Sequence, residues 1–88
     1  MIIYENCIDK VNMDVKKIKS IARRFQNIAD ECRSLGIQIF GGSAGDLRFN
    51  DDPGNIDNQQ LILAHIDGDF SGGDGTCHED EEGFMRGE

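Results

Sequence analysis

The sequence predicts an α+β protein: one long amphipathic helix packed on a small antiparallel β-sheet of three to four strands, followed by an acidic, glycine-rich C-terminal segment. Three observations carry this expectation. Between Asn12 and Leu35 the apolar residues recur at spacings of three and four, after Gly36 the spacing drops to two, and from Asp67 onward no apolar period remains. Residues 1–66 are the expected core domain. Residues 67–88 are expected as an acidic loop or tail, either part of that domain or disordered.

The first residues, "MIIY", are apolar enough to add an edge strand. The long helix is expected over about residues 13–35. Val15, Ile18, Ile21, Ala22, Phe25, Ile28, Ala29, Cys32 and Leu35 fill an arc of roughly 160° at 100° per residue, which is a core-facing stripe. Asn12 or Asp14 can cap its start. Gly36 stands where a left-handed residue ends a helix, with Ile37 placed for the accompanying apolar contact.

Strands are expected over about 37–40, 46–50 and 60–66. "GIQIF" points Ile37 and Ile39 to one side, "GGSAGD" makes a turn, and "LRFN" alternates Leu47 with Phe49, so the two read as a hairpin. "DDPGNIDN" is a polar break. "QQLILAHID" is apolar on both faces, the pattern of a strand buried in the middle of a sheet.

At 88 residues and 38% hydrophobic content, the chain can build one modest core, and its stability would benefit from a partner, a metal or self-association. No apolar run approaches the roughly 20 residues that cross a bilayer. The N-terminus has neither a basic start nor a small-residue cleavage site, so a cytoplasmic location is expected. Cys7, Cys32 and Cys77 are odd in number and widely spaced, which reads as reduced thiols.

Charge is unevenly distributed. Residues 1–36 hold seven basic and five acidic residues, whereas residues 37–88 hold two basic and twelve acidic, within a net charge of −8. Such a chain repels nucleic acid and anionic membrane and attracts cations and basic protein surfaces. The helix runs against its own dipole: Lys16, Lys17 and Lys19 lie in its first turns, Asp30 and Glu31 near its end. Its basic face lacks the aromatic side chains on which bases stack. Its lysines also suit a plain solvated face.

The run "DGDFSGGDGTCH" resembles the EF-hand calcium loop, with Asp67, Asp69, Ser71 and Gly72 at its positions 1, 3, 5 and 6. The resemblance stops there, because His78 stands where the loop needs a bidentate glutamate. A looser calcium site from Asp67, Asp69, Ser71, Asp74 and Glu79 is the alternative reading, against plain glycine–aspartate turns. Cys77 and His78 are adjacent, a poor arrangement for both to reach one tetrahedral zinc ion. A thiol catalyst at Cys77 would need a base brought from elsewhere in the fold, and "GGSAGD" lacks the lysine and following helix of a phosphate loop. No enzyme and no obligatory cofactor is expected.

The acidic half therefore reads as an interface. Asp51, Asp52, Asp67, Asp69, Asp74, Glu79, Asp80, Glu81 and Glu82 would supply charge, and Phe70 an apolar anchor, with Phe84 and Met85 beside it. In size, acidity and absence of a catalytic motif the chain resembles small phage-encoded inhibitors, the anti-CRISPR and anti-restriction proteins that mimic nucleic acid. That resemblance implies a protein that blocks a basic, nucleic-acid-handling partner, with no direct nucleic-acid or membrane contact. The alternatives are a calcium-binding module and a homodimeric structural protein whose helix presents its wide apolar face.

Overall fold

The computed structural model describes residues 1–42, 44–52, 54, 60–73 and 75–87. Its elements, in chain order, are helix α1 (Glu5–Lys10), helix α2 (Val15–Ser34) and strands β1 (Gln38–Gly41), β2 (Gly45–Phe49), β3 (Leu61–Ile66), β4 (Cys77–Glu79) and β5 (Met85–Gly87). The protein is mixed α+β, with one long helix, a three-stranded antiparallel sheet and a second sheet of two strands. The chain divides into two compact units, Met1–Ile28 with Asp74–Glu88, and Ala29–Gly73, and α2 runs unbroken through the division.

In the first unit the N-terminal segment is helical, not an edge strand. The Tyr4 carbonyl accepts from the Cys7 and Ile8 N–H groups and starts α1. Asn12, at φ 57°, ends it: Asn12 N–H bonds to the Asp9 carbonyl and Met13 N–H to the Ile8 carbonyl. Asparagine is the residue besides glycine that tolerates this left-handed closing geometry. Asn12 thus terminates α1, and the cap of α2 is Asp14, whose Oδ1 accepts from the Lys16 N–H at 2.9 Å and the Lys17 N–H at 3.4 Å.

The C-terminal segment is no structureless tail. β4 and β5 pair antiparallel, with Cys77 opposite Gly87, His78 opposite Arg86 and Glu79 opposite Met85. The hairpin is tied to α1 by the Asn6 amide, which donates to the Gly83 carbonyl at 2.9 Å, and by the Met85 N–H, which donates to Cys7 Sγ at 3.4 Å.

In the second unit α2 ends as its sequence prescribes. Gly36 has φ 72°, its N–H bonds to the Arg33 carbonyl, and the Ile37 N–H bonds to the Cys32 carbonyl at 2.8 Å. The sheet then runs β1–β2–β3 in sequence order. Ile39, Leu47 and Ala64 form one cross-strand row, and Phe40, Asp46 and His65 the next. The register slips between Leu47 and Arg48: Ala64 faces the first and Ile62 the second, so Leu63 is an extra residue in β3.

Burial is sparse. Cys32, at 7% exposure, is the one buried apolar side chain among the described residues. Only part of the α2 stripe is covered: Val15, Ile18, Ala22 and Ala29 are half-buried, whereas Ile21, Phe25, Ile28 and Leu35 each keep more than half their surface exposed. The arc predicted as core is wider than the strip the chain covers. β3, which reads as a central strand, lies at the edge, with Leu61, Ile62, Leu63 and Ile66 exposed.

Candidate functional site

The expected acidic surface separates into carboxylates that hold the fold and carboxylates that face solvent. Asp46 is the most deeply held, at 3% exposure in the central strand. Its Oδ2 accepts two bonds from Arg48, at 2.7 Å from Nη2 and 3.1 Å from Nε, because residues two apart on a strand share a face. The Arg48 guanidinium lies 4.0 Å from the Phe40 ring centroid, so an aromatic face and a carboxylate hold it together. Asp46 Oδ1, shielded from solvent, faces His65 Nδ1 at 2.5 Å, a contact that is an ion pair only when the imidazole is protonated. The bonds from Arg48 hold the Asp46 carboxyl below its ordinary range, burial opposes them, and the nearby charges of His65 and Arg48 add to the lowering. In the sequence, the Asp46-x-Arg48 spacing inside a strand is the legible signal of this pair. His65 joins it only through the β2–β3 register.

Asp80 has the same task in the C-terminal hairpin. Its Oδ1 accepts from the Glu82 N–H at 3.0 Å and the Phe84 N–H at 2.9 Å, and its Oδ2 from Arg86 Nε at 2.8 Å. The Arg86 bond is the first cause that keeps its carboxyl below the ordinary range, and the Phe84 and Glu82 amides assist while burial opposes. Asp80 is thus the organiser of a turn and not a free interface charge. Asp52 has a lesser version of this role, accepting from the Gly54 N–H at 3.0 Å.

The remaining candidates face solvent. Asp51, Asp67 and Asp69 in the second unit, and Glu79 and Glu81 in the first, are exposed and make no hydrogen bond or ion pair among the described residues. Glu82 reaches Lys10 at 3.7 Å. Asp74 lies outside the described residues.

The apolar anchors are differently used. Phe70 is half-buried: its ring lies over Gly45 and Gly68, where an added Cβ at Gly45 would meet Phe70 Cζ at 2.4 Å. The ring thus packs within the sheet unit. Phe84 and Met85 are half-buried too, and Lys10 Nζ stands 4.5 Å from the Phe84 ring centroid.

The calcium reading finds little geometry. Gly72, the residue meant to make the sharp turn, has no left-handed φ. Its missing side chain serves instead a close approach, since a Cβ there would lie 2.9 Å from Gly42 Cα and 3.2 Å from the Gly41 carbonyl oxygen. Asp67 and Asp69 belong to one unit and Glu79 to the other. Among the described residues no three His, Cys, Asp or Glu side chains gather as a metal ion needs. All three cysteines are unpaired thiols, and no helix among the described residues is long and apolar enough to cross a membrane.

No protein-family model matches this chain, and neither does any curated protein or any solved structure.

Proposed function

We propose that this chain is a non-enzymatic binding protein whose solvent-facing carboxylates dock on a basic surface of a nucleic-acid-handling protein and block it. One observation supports this above the rest: Asp51, Asp67, Asp69, Glu79 and Glu81 are exposed and make no hydrogen bond or ion pair among the described residues, in a chain of net charge −8. A carboxylate that makes no internal contact does nothing for the fold and keeps its whole field for an approaching cation. Asp52 and Asp80 leave the docking set because they already accept hydrogen bonds within the chain, and Phe70 leaves it because its ring covers Gly45. The docking chemistry is then electrostatic, with fast, salt-sensitive association. The cytoplasm, where thiols stay reduced, suits the three unpaired cysteines.

The test is affinity capture from a lysate of the source cells, with the wild-type chain beside the variant Asp67→Asn, Asp69→Asn, Glu79→Gln, Glu81→Gln, each in calcium and in EDTA. The proposal expects a basic nucleic-acid-handling protein on the wild type in both buffers, released at about 0.5 M salt and absent from the variant. Equal capture by the variant refutes it, and capture confined to calcium would return residues 67–79 to the metal reading.

A further inference from the structure

The exposed stripe of α2 has a stricter order than the amphipathic pattern alone requires. Ile18, Phe25 and Cys32 fall at one position of a seven-residue repeat, and Ile21, Ile28 and Leu35 at the other core position, the a and d spacing of paired helices. Val15, Ala22 and Ala29, on one flank, are half-buried. On the other flank stand Lys17, Arg24 and Glu31, all exposed. The apolar ridge open to solvent is therefore Ile21, Phe25 and Ile28, at 52%, 55% and 52% exposure, continued by Leu35.

We propose that this face of α2 pairs antiparallel with the same face of a second copy of the chain, forming a helix pair with twofold symmetry. The charges on the open flank choose both the occupant and its direction. Lys17 and Glu31 lie two heptads apart, and neither side chain makes a hydrogen bond or ion pair among the described residues. An antiparallel pair centred near Arg24 and Phe25 sets Lys17 of each copy beside Glu31 of the other, and Ile21 beside Ile28. A parallel pair would set Lys17 against the alanine flank and leave both charges unanswered. The arrangement is self-complementary, as a twofold interface must be.

Arg24 falls near the axis, where two like charges could meet. Its Nε, however, donates to the Ser20 carbonyl at 3.3 Å, which turns the guanidinium along its own helix. The antiparallel pair also accounts for the charges that run against the dipole of α2. Cations at one helix's N-terminus then adjoin carboxylates at the other's C-terminus, and the two macrodipoles oppose. Burial points the same way. A chain with Cys32 as its one buried apolar side chain among the described residues needs cover that is always present, and another copy of itself is.

Sedimentation of the full chain tests this. The wild type should sediment at twice its 9.8 kDa mass. Lys17→Glu and Glu31→Lys should each weaken the dimer about tenfold, and the double variant K17E/E31K should restore it. Ile28→Glu should sediment as a monomer with its helical circular dichroism retained, since the side chain it replaces is half in water. Should that variant unfold, the charge exchange still decides. A wild type that remains monomeric at about 100 μM overturns the proposal. So does a dimer that survives Ile28→Glu, or a double variant no tighter than the single ones.

Discussion

β2 and β3 lie side by side, and their composition and burial are reversed. β2 carries Asp46 and Arg48 yet contains the buried positions Gly45 and Asp46, whereas β3 is Leu-Ile-Leu-Ala-His-Ile and keeps only Ala64 half-buried. The difference follows from rank in the sheet. β2 has a strand on each side, and Asp46 has Phe40 and His65 as its cross-strand neighbours and Arg48 on its own face. β3 has one neighbour and a bulge at Leu63, a device that twists an edge away from further pairing. A charge is held where its partners converge, and apolar side chains stay wet where no element is there to cover them.

The largest effect should come from breaking the buried side of this comparison. Asp46→Ala strands a half-buried guanidinium without its acceptor, and we expect the melting temperature to fall by on the order of 10 °C, read by circular dichroism. An unchanged melting temperature would mean that the Arg48 bonds add nothing to the fold.

Acid should show the same carboxylate from a second direction. Asp46 and Asp80 both have folded values below their ordinary 3.8. Their contribution is complete above that ordinary value and is lost as pH falls through the lower folded ones. The melting temperature should thus be level above about pH 5 and decline below about pH 4. Asp46→Asn and Asp80→Asn should each flatten that decline. A decline of equal depth in both variants would assign it to other groups.

At the opposite edge the residues of β1 are exposed as well, and the chain comes close only at the end of that strand. Gly72 lies against the backbone of Gly41 and Gly42, and Gly72→Ala should cost about 1 kcal/mol in urea denaturation as those chains separate. The smallest effect belongs to β3. Ile62, already 55% exposed, should accept threonine within about 0.5 kcal/mol. A cost several times larger would show that Ile62 is covered in solution.

Local signals are legible in the sequence. The end of α2 at Gly36 and the three strands of the sheet came within a residue or so, because capping and alternation are written in neighbouring residues. Of the two cap candidates before α2, Asp14 takes the position and Asn12 closes α1 instead. Its left-handed geometry closes a six-residue helix that has no room for an apolar period of its own. The hairpin at the C-terminus is not legible in the sequence for a like reason, since β4 and β5 are three residues each and are organised by the Asp80 carboxylate rather than by apolar alternation.

For the candidate site, the sequence identified the acidic residues but could not rank them. Asp67 and Asp80 look alike in a string of carboxylates. One faces water, while the other accepts two amides and an arginine.

The sequence by itself determined the α+β class, the extent and caps of α2, the sheet strands and the excess of negative charge. Each of these depends on residues close together in the chain or on a simple count. Tertiary structure alone decided which strand is central, which carboxylates are occupied and which apolar side chains remain open. Burial and pairing depend on what else arrives at the same place, and residues as distant as Asp46 and His65, or Asn6 and Gly83, meet only once the chain has folded.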